Sequence, residues 1–247
     1  MKGFDPASSF GEDVAARYDD HLRGDEEAAA SFLSALAQGR PALEFAIGTG
    51  RIAIPLAEKG VQVDGIELSP HMVERLRAKT RNNPMNVTIG DMSTATTNQR
   101  YGLVYLVYNT IFNLLTVDDQ IRCFQNAAHH LAPDGYFVVE TALPHAWIPP
   151  GSSDYVHAEN INTDTVALDV ARYDPTTQLL EENHILLTTH GITMSPIVCR
   201  LITPGEMDLM ARIAGMRLIH RFANWQQSAF DIHSKAHVSV YGFLQSA

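Results

Sequence analysis

Short apolar segments alternate with helix-like segments between residues 42 and 141, and this alternation constrains the fold more than any other feature. The segments between the apolar runs carry apolar residues at helical spacing, or helix-start residues such as Ser69 followed by Pro70. The predicted strands cover residues 42–47, 61–67, 87–89, 101–108 and 136–141. Strands that are apolar throughout are typical of a parallel sheet with helices on both faces. We therefore predict an α/β fold with a doubly wound, mostly parallel sheet.

The residues before the first strand predict a helical region. An acidic and alanine-rich segment from Glu12 to Ala37 is followed by Gly39 and Pro41, which are residues that terminate helices. The residues on its apolar side are Tyr18, Leu22, Phe32, Leu33 and Leu36. We expect residues 1–40 to form a helical lid on the domain that follows.

A different pattern begins after residue 142. A loop rich in proline and serine comes first, and residues 164–202 then alternate apolar and polar positions around a predicted hairpin turn at Asp174-Pro175. This alternation is typical of antiparallel strands. We expect residues 143–202 to form an antiparallel β insertion after the fifth strand, on the substrate side of the sheet.

The end of the chain returns to the earlier pattern. A capping box at residues 203–206 predicts the start of a helix, and two further strands are predicted at residues 217–222 and 238–244. Together with the five earlier strands they give a sheet of seven. We assign residues 41–142 and 203–247 to one core.

The composition disfavours several classes of partner. The formal net charge is −10 and the four lysines do not cluster, so no nucleic-acid partner is expected. No apolar run approaches the ~20 residues of a membrane-spanning helix, and the first residues do not resemble a signal peptide. Cys123 and Cys199 lack the spacing of a zinc or redox site. We expect a cytoplasmic protein with no membrane contact and no metal, and leave open whether it forms a homodimer.

A glycine-rich turn joins the first strand to the first helix of the core. Gly48-Thr49-Gly50 allows the backbone to approach a ligand closely, and the helix that follows offers free N–H groups to an anion. Glu67 ends the second strand, where its carboxylate can accept hydrogen bonds from two ribose hydroxyls. The same residues also satisfy the dinucleotide fingerprint G-x-G-x-x-A with its ribose acid. This segment alone therefore leaves S-adenosylmethionine (SAM) and NAD as alternative cofactors.

Polar residues at the ends of other predicted strands favour one of these cofactors. Glu44 precedes Gly48, Asp91-Met92 follows the third strand, and Asn109 follows the fourth. In a doubly wound sheet these ends meet at one edge, where ligands bind. By contrast, no tyrosine has a lysine four residues later, so the residue pair of short-chain dehydrogenases is absent. These positions favour SAM, and an NAD-dependent oxidoreductase remains the alternative.

At these motifs the chain resembles class I SAM-dependent methyltransferases. The segment from Glu44 to Arg51 resembles their motif I, with Ala46 in place of the first glycine, and a negative φ at Ala46 would still allow close approach to the ligand. Residues 108–114 resemble their motif IV. The resemblance implies a Rossmann-like fold that binds SAM. The cofactor-binding residues that it implies are Tyr18, Glu44, Ala46, Gly48, Gly50, Arg51, Glu67, Leu68, Met72, Asp91, Met92, Tyr108 and Asn109.

Beyond the core, the chain resembles small-molecule methyltransferases related to amino-sugar N,N-dimethyltransferases. The resemblance lies in residues 171–174, 181–184 and 200–241, and in the N-terminal Tyr18-Asp19. It implies methyl transfer from SAM to a nitrogen or oxygen of a small-molecule acceptor. A protein that keeps this fold and its SAM site without transferase activity is a further alternative.

Candidate residues for the acceptor follow the fourth and fifth strands or lie near the C-terminus. His145 comes shortly after the fifth strand and is the best-placed general base, which a hydroxyl acceptor would use. His157 and Glu159 lie farther into the same predicted loop. We expect His145, Phe112 and Trp225 to bind the acceptor.

Overall fold

The structure is a computed structural model that describes residues 1–6, 9–20 and 23–243. Its helices are α1 (Glu12–Arg17), α2 (Glu26–Ala37), α3 (Ala53–Glu58), α4 (Pro70–Lys79), α5 (Val117–His130), α6 (Pro144–Trp147) and α7 (Pro204–Ile213). Its strands are β1 (Ala42–Phe45), β2 (Val63–Glu67), β3 (Val87–Ile89), β4 (Tyr101–Leu106), β5 (Leu131–Ala142), β6 (Asp154–Ile161), β7 (Thr165–Asp174), β8 (Leu179–Thr188), β9 (Gly191–Arg200), β10 (Met216–Phe222) and β11 (Ala236–Phe243). A 3-10 turn, Thr110–Asn113, follows β4.

The strands form two sheets. The large sheet has seven strands in the order β10-β11-β5-β4-β1-β2-β3, and its neighbours are parallel except that β11 is antiparallel to both β5 and β10. The small sheet has the order β6-β7-β8-β9 and is antiparallel throughout. The predicted fold class is confirmed: a doubly wound, mostly parallel seven-stranded sheet with an antiparallel insertion after the fifth strand.

The central strands are apolar throughout because each face of the large sheet lies against its own apolar core. In β1, Leu43 and Phe45 belong to the core that contains α5 and α7, whereas Ala42 belongs to the core that contains α2 and α3. In β4, Val104 belongs to the core that contains α5 and α7, and Leu103 belongs to the core that contains α2 and α3. Successive side chains of a strand point to opposite faces, so an uninterrupted apolar run is what two covered faces require.

The predicted N-terminal caps of two helices are confirmed. The Ser69 hydroxyl accepts a hydrogen bond from the Met72 N–H at the start of α4. At α7, Thr203 and Glu206 form both hydrogen bonds of the predicted capping box. None of the helices in the described part of the chain has the length and apolar character needed to cross a membrane.

The predicted helical region over residues 12–37 contains two helices, α1 and α2. Gly24 has a φ of +82°, which ends helical geometry before α2. The Glu26 carboxylate accepts hydrogen bonds from the N–H groups of Gly24 and the residue before it, and these bonds start a new helix. Tyr18 therefore lies in a connection between helices. Leu22, predicted on the apolar side, lies outside the described residues.

The predicted loop after β5 is wrong in part, because it contains α6 and the edge strand β6. His157 and Glu159 therefore lie on a strand. Nearly all side chains of β6 are exposed, so this strand lacks the apolar alternation by which its neighbours were predicted. The fifth strand also starts earlier than predicted, at Leu131, because this residue pairs with Tyr101 ahead of a register shift.

Candidate active site

A first cavity lies at the edge of the large sheet, where β1, β2, β3 and β4 end. The N-terminal residues Pro6, Phe10 and Tyr18 form its opposite wall. Seven of the thirteen residues predicted to bind the cofactor line this cavity: Tyr18, Ala46, Glu67, Leu68, Met72, Asp91 and Met92. The topology thus brings together residues that are more than seventy positions apart in the sequence.

Hydrogen bonds hold the N-terminal wall against the core. The Thr49 hydroxyl donates to Oδ1 of Asp19 at 2.6 Å, and Nζ of Lys79 donates to Oδ2 of the same carboxylate at 2.8 Å. The Ser69 hydroxyl donates to the carbonyl oxygen of Phe10 at 2.6 Å. These contacts hold the segment that contains Tyr18 against the core, and Tyr18 lines the cavity.

The glycine turn is left-handed at three positions, with φ values of +53° at Ala46, +56° at Gly48 and +86° at Gly50. A Cβ atom on Gly50 would lie 2.5 Å from Cδ1 of Leu76, so glycine is required there. A negative φ, the condition under which alanine would still allow close approach, is thus not met at Ala46. The turn imposes the left-handed conformation even on alanine, at a cost of about 1–2 kcal/mol.

Glu67 connects the glycine turn to the start of α4. Its Oε2 accepts a hydrogen bond from the Gly48 N–H at 2.9 Å, and its Oε1 accepts one from the Ser69 N–H at 2.7 Å. Burial raises the pKa of Glu67. A carboxylate has about four acceptor sites, so these two bonds do not use all of them.

The segment after β3 is fixed from both sides. Oδ1 of Asp91 accepts a hydrogen bond from the Ser93 N–H at 2.7 Å. From α5, the Asn126 amide donates to the carbonyl oxygens of Met92 and Ala95, at 2.9 and 2.8 Å. Asp91 and Met92 are therefore presented to the cavity by a loop with little freedom.

A second cavity of about 690 Å³ adjoins the first. The two share the wall residues Phe10, Tyr18, Thr110 and Asn113. The second cavity lies between the end of β4, helix α6 and one face of the small sheet. His145 on α6, which was predicted to bind the acceptor, lines this cavity, and so do His157 and Glu159 on β6.

The face of the small sheet toward this cavity carries an acid–histidine cluster, formed by Glu159, Asp169, Glu182 and His184. The strand register pairs Asp169 on β7 with both His157 on β6 and His184 on β8. Nδ1 of His184 lies 2.5 Å from Oδ1 of Asp169, and its Nε2 lies 4.0 Å from Oε2 of Glu182. The sequence missed Asp169, Glu182 and His184 as site residues. The available signal was Glu182 and His184 at alternate positions of one strand, which places both side chains on the same face.

The charges in this cluster perturb each other. Burial raises the pKa of Glu182 and of Glu159, and for Glu159 the nearby Asp169 adds to that rise. Candidate ligand atoms of Asp169, Glu182 and His184 lie within 4.8 Å of one another, a spacing that also suits a metal ion. The sequence predicts that the protein binds no metal, and the absence of a metal remains a prediction.

Tyr108 and Asn109 line the second cavity in a strained turn after β4. Both are left-handed, with φ values of +55° and +63°. Oδ1 of Asn109 accepts a hydrogen bond from the Ala142 N–H at 2.5 Å, and Oε2 of Glu140 accepts one from the Tyr108 N–H at 2.9 Å. Burial raises the pKa of Glu140, which the sequence did not single out. This turn is therefore fixed to the end of β5.

Four residues predicted to bind the cofactor line neither of these two cavities: Glu44, Gly48, Gly50 and Arg51. Glu44 is buried beneath the turn and accepts a hydrogen bond from the Tyr105 hydroxyl at 2.9 Å. Burial raises the pKa of Glu44 to about 8. Arg51 forms ion pairs with Asp25 and Glu26 at the start of α2.

The structure places two predicted acceptor-binding residues in the apolar cores instead of at a cavity. Phe112 is fully buried, and its ring packs edge-on against Trp147, which does line the second cavity. Trp225 is 5% exposed, packs against Phe32, and donates a hydrogen bond to Oε1 of Glu140 at 3.0 Å. We predicted that these large aromatic side chains near strand ends would form the walls of the pocket. In the structure they pack against helices and are buried instead.

The chain is similar to known proteins in both sequence and structure. A family model described as a methyltransferase domain matches residues 42–135. The solved structure of the CcbJ methyltransferase from Streptomyces caelestis is 36% identical, with a TM-score of 0.90, covering 97% of this chain and 99% of that one.

Two other matches are more distant. The curated protein YqeM of Bacillus subtilis (strain 168) is 32% identical over 124 residues, so the match spans 49% of this chain and half the length of that protein. The SAM-bound structure of CalS10, an amino pentose methyltransferase from Micromonospora echinaspora, is 22% identical with a TM-score of 0.69, covering 93% of this chain and 94% of that one. At this identity the similarity to CalS10 concerns the fold.

Proposed function

Because the chain belongs to the SAM-dependent methyltransferases, we propose that it transfers a methyl group from SAM to a nitrogen or oxygen of a small molecule. The family membership removes the support for NAD as cofactor. Among acceptors, a cationic amine fits the second cavity best, and the acid–histidine cluster on the cavity face of the small sheet carries this conclusion.

The first cavity suits the adenosine part of SAM. Glu67 has free acceptor sites for the ribose hydroxyls, and Asp91 can accept a hydrogen bond from the adenine amino group. The residues that line this cavity next to them, Leu68, Met72 and Met92, are apolar and suit the planar base. We assign residues 1–40 as the cover of this site, residues 41–142 and 203–247 as its core, and residues 143–202 as the acceptor side.

The cofactor, when bound, supplies an electrophilic methyl carbon that forms a bond to the acceptor lone pair as its bond to sulfur breaks, which leaves S-adenosylhomocysteine. The residues of the chain hold the acceptor in line and exclude water, and positioning of this kind contributes about 7–11 kcal/mol. Glu159, Asp169 and Glu182 attract an ammonium group. A carboxylate with a raised pKa is also the better proton acceptor, so the cluster takes up the proton that the amine must lose before it attacks.

His145 has a separate role in this proposal. It lies on α6 at the wall of the second cavity, opposite the small sheet. An imidazole there binds polar groups of the acceptor, and it is the general base if the acceptor atom is a hydroxyl oxygen.

The test is a transfer assay with pairs of acceptors that differ only in an amine or a hydroxyl group, starting with amino sugars because CalS10 is an amino pentose methyltransferase. We expect S-adenosylhomocysteine release and N-methylated product with the amines, unchanged in the presence of EDTA. Release with the hydroxyl members alone would contradict the amine acceptor. SAM binding with no product from any acceptor would support the alternative of a SAM-fold protein without transferase activity.

A further inference from the structure

The acid–histidine cluster holds more negative charge than one acceptor amine balances. Glu159, Asp169 and Glu182 all line the second cavity. Burial raises the pKa of Glu159 and of Glu182, and repulsion from the Asp169 carboxylate adds to both rises. Among the described residues that line this cavity, the only arginine or lysine is Arg23, whose guanidinium lies over the Tyr108 ring. A dication would therefore balance more of this charge than a single ammonium group does.

The cluster also contains a nitrogen ligand. Nδ1 of His184 lies 2.5 Å from Oδ1 of Asp169, and Nε2 of His184 lies 4.0 Å from Oε2 of Glu182. Carboxylates alone suffice to attract an ammonium group. An imidazole nitrogen beside two carboxylates is a ligand set that suits Zn²⁺ and similar transition ions. The chemistry of the cluster is therefore also that of a metal site.

The spacing of these three side chains is close to the spacing that a metal requires. Zn–N and Zn–O bonds of about 2.0–2.2 Å place the ligand atoms of a tetrahedral site about 3.3–3.6 Å apart. The separations of 2.5 and 4.0 Å at His184 lie on either side of this range, and one candidate atom of each residue lies within 4.8 Å of the others. The His184 side chain is 50% exposed, so a small rotation of its ring can bring all three ligands to one ion.

The strand register holds the backbone beneath these ligands. Asp169 on β7 pairs directly with His184 on β8, and Glu182 lies two positions before His184 on the same face. Ligands on strands are held more precisely than ligands on loops. The register joins residues fifteen positions apart, so no local spacing of histidines and acids predicts a metal here.

We propose that Asp169, Glu182 and His184 bind a divalent transition ion, with Zn²⁺ as the best match, and that this ion excludes the amine acceptor. The ion uses the same carboxylates that attract the ammonium group, so the two compete for the cluster. The metal therefore inhibits methyl transfer and takes no part in it, which agrees with transfer that is insensitive to EDTA. The binding site stands on its own geometry, whereas the inhibition rests on the proposed function.

The first test is calorimetric titration of the metal-free protein with ZnCl₂. We expect one ion per chain. His184→Ala should bind Zn²⁺ about 100-fold more weakly, because it loses a ligand and even residues that only support a ligand account for about 10- to 100-fold. His190→Ala is the matched control, since His190 is an exposed histidine in the turn between β8 and β9 and does not line the second cavity. Mg²⁺ has the same charge but favours oxygen ligands, so it should bind more weakly than Zn²⁺.

Three results would overturn the metal site. The first is no binding of Zn²⁺, and the second is equal affinity in the original protein and His184→Ala. The third is Mg²⁺ binding as tight as that of Zn²⁺, because it would show attraction by charge alone. If His184→Ala does not fold, Glu182→Gln is judged by the same criterion.

The second test is steady-state transfer to an amine acceptor in the presence of ZnCl₂. Zn²⁺ should raise the KM for the acceptor and leave kcat unchanged, and EDTA should restore the original KM. An unchanged KM at a Zn²⁺ concentration that saturates the site would overturn the inhibition. Failure of the proposed function gives a different result, since no amine would then be methylated although calorimetry still detects Zn²⁺.

Discussion

The two cavities share a wall, but the chain builds them in different ways. The first lies at the edge of a parallel sheet, and its polar groups come from residues at or just after strand ends, such as Glu67 and Asp91. The second lies against the face of an antiparallel sheet, and its charged groups come from alternate positions within β6, β7 and β8, such as Asp169 and Glu182.

This difference determines how far the effect of a substitution extends. A residue at a strand end in the large sheet also shapes the turns that join strand to helix, as Glu67 does by accepting hydrogen bonds from Gly48 and Ser69. A residue on one face of the small sheet alternates with neighbours that point to the other face. Substitutions there should affect one ligand and leave the fold and the other ligand unchanged.

The largest expected effect is on the acceptor side. Glu182→Gln removes a charge from the acid–histidine cluster, so kcat/KM for an amine acceptor should fall about 100-fold, which corresponds to about 2.7 kcal/mol. Affinity for SAM should not change. Steady-state kinetics and calorimetry measure the two. Glu181→Gln is the matched control, because it changes the adjacent acid on the opposite face of β8 and should keep near-original activity. Equal losses for both variants would contradict a specific role of the cluster.

The complementary change is Glu67→Gln on the cofactor side. It removes the charge that two backbone N–H groups and the ribose share, so SAM should bind about 10- to 100-fold more weakly. At saturating SAM the KM for the acceptor should stay the same. Glu58→Gln, at an exposed position of α3, is the charge-matched control. An altered KM for the acceptor with unchanged affinity for SAM would contradict the assignment of the two ligands to separate cavities.

A smaller effect, on stability alone, concerns the buried acid beneath the glycine turn. Burial raises the pKa of Glu44 to about 8, from an ordinary value of 4.5. Between these pH values the folded protein holds a proton that the unfolded chain has lost, so the free energy of unfolding falls as pH rises through this window. Glu44→Gln should remove that part of the slope and keep an oxygen for the Tyr105 hydroxyl. Thermal unfolding from pH 5 to 9 measures it. An unchanged slope would mean that Glu44 titrates normally.

The same contrast explains which parts of the site the sequence could predict. Strand ends of the large sheet were predictable because apolar runs covered on both faces are easy to recognise, and the polar residue after each run is then at the ligand-binding edge. Glu67, Asp91 and Met92 were found in this way. A sequence motif does not distinguish the residues that line the cavity from the residues that support the turn, however. Glu44 and Gly50 belong to the same motif as Ala46, yet Ala46 lines the first cavity and the other two do not.

The remaining parts depend on three-dimensional information that no local pattern contains. Asp169 and His184 meet only through the register of β7 on β8, fifteen positions apart. Trp225 was predicted at the pocket but packs between α2 and the large sheet, because the position of a helix decides which aromatic residues are covered. The left-handed φ of Ala46 follows from the path of the turn, against the preference of the residue.

Phe10, Tyr18, Thr110 and Asn113, which face both cavities, set a limit on how such an enzyme can diversify. A lineage that acquires a new acceptor can vary the inward positions of the small sheet, because none of its described residues lines the first cavity. A substitution among the four shared residues would change both cavities at once. An engineer who wants a different acceptor would therefore randomise β6 to β8 and leave the shared wall untouched.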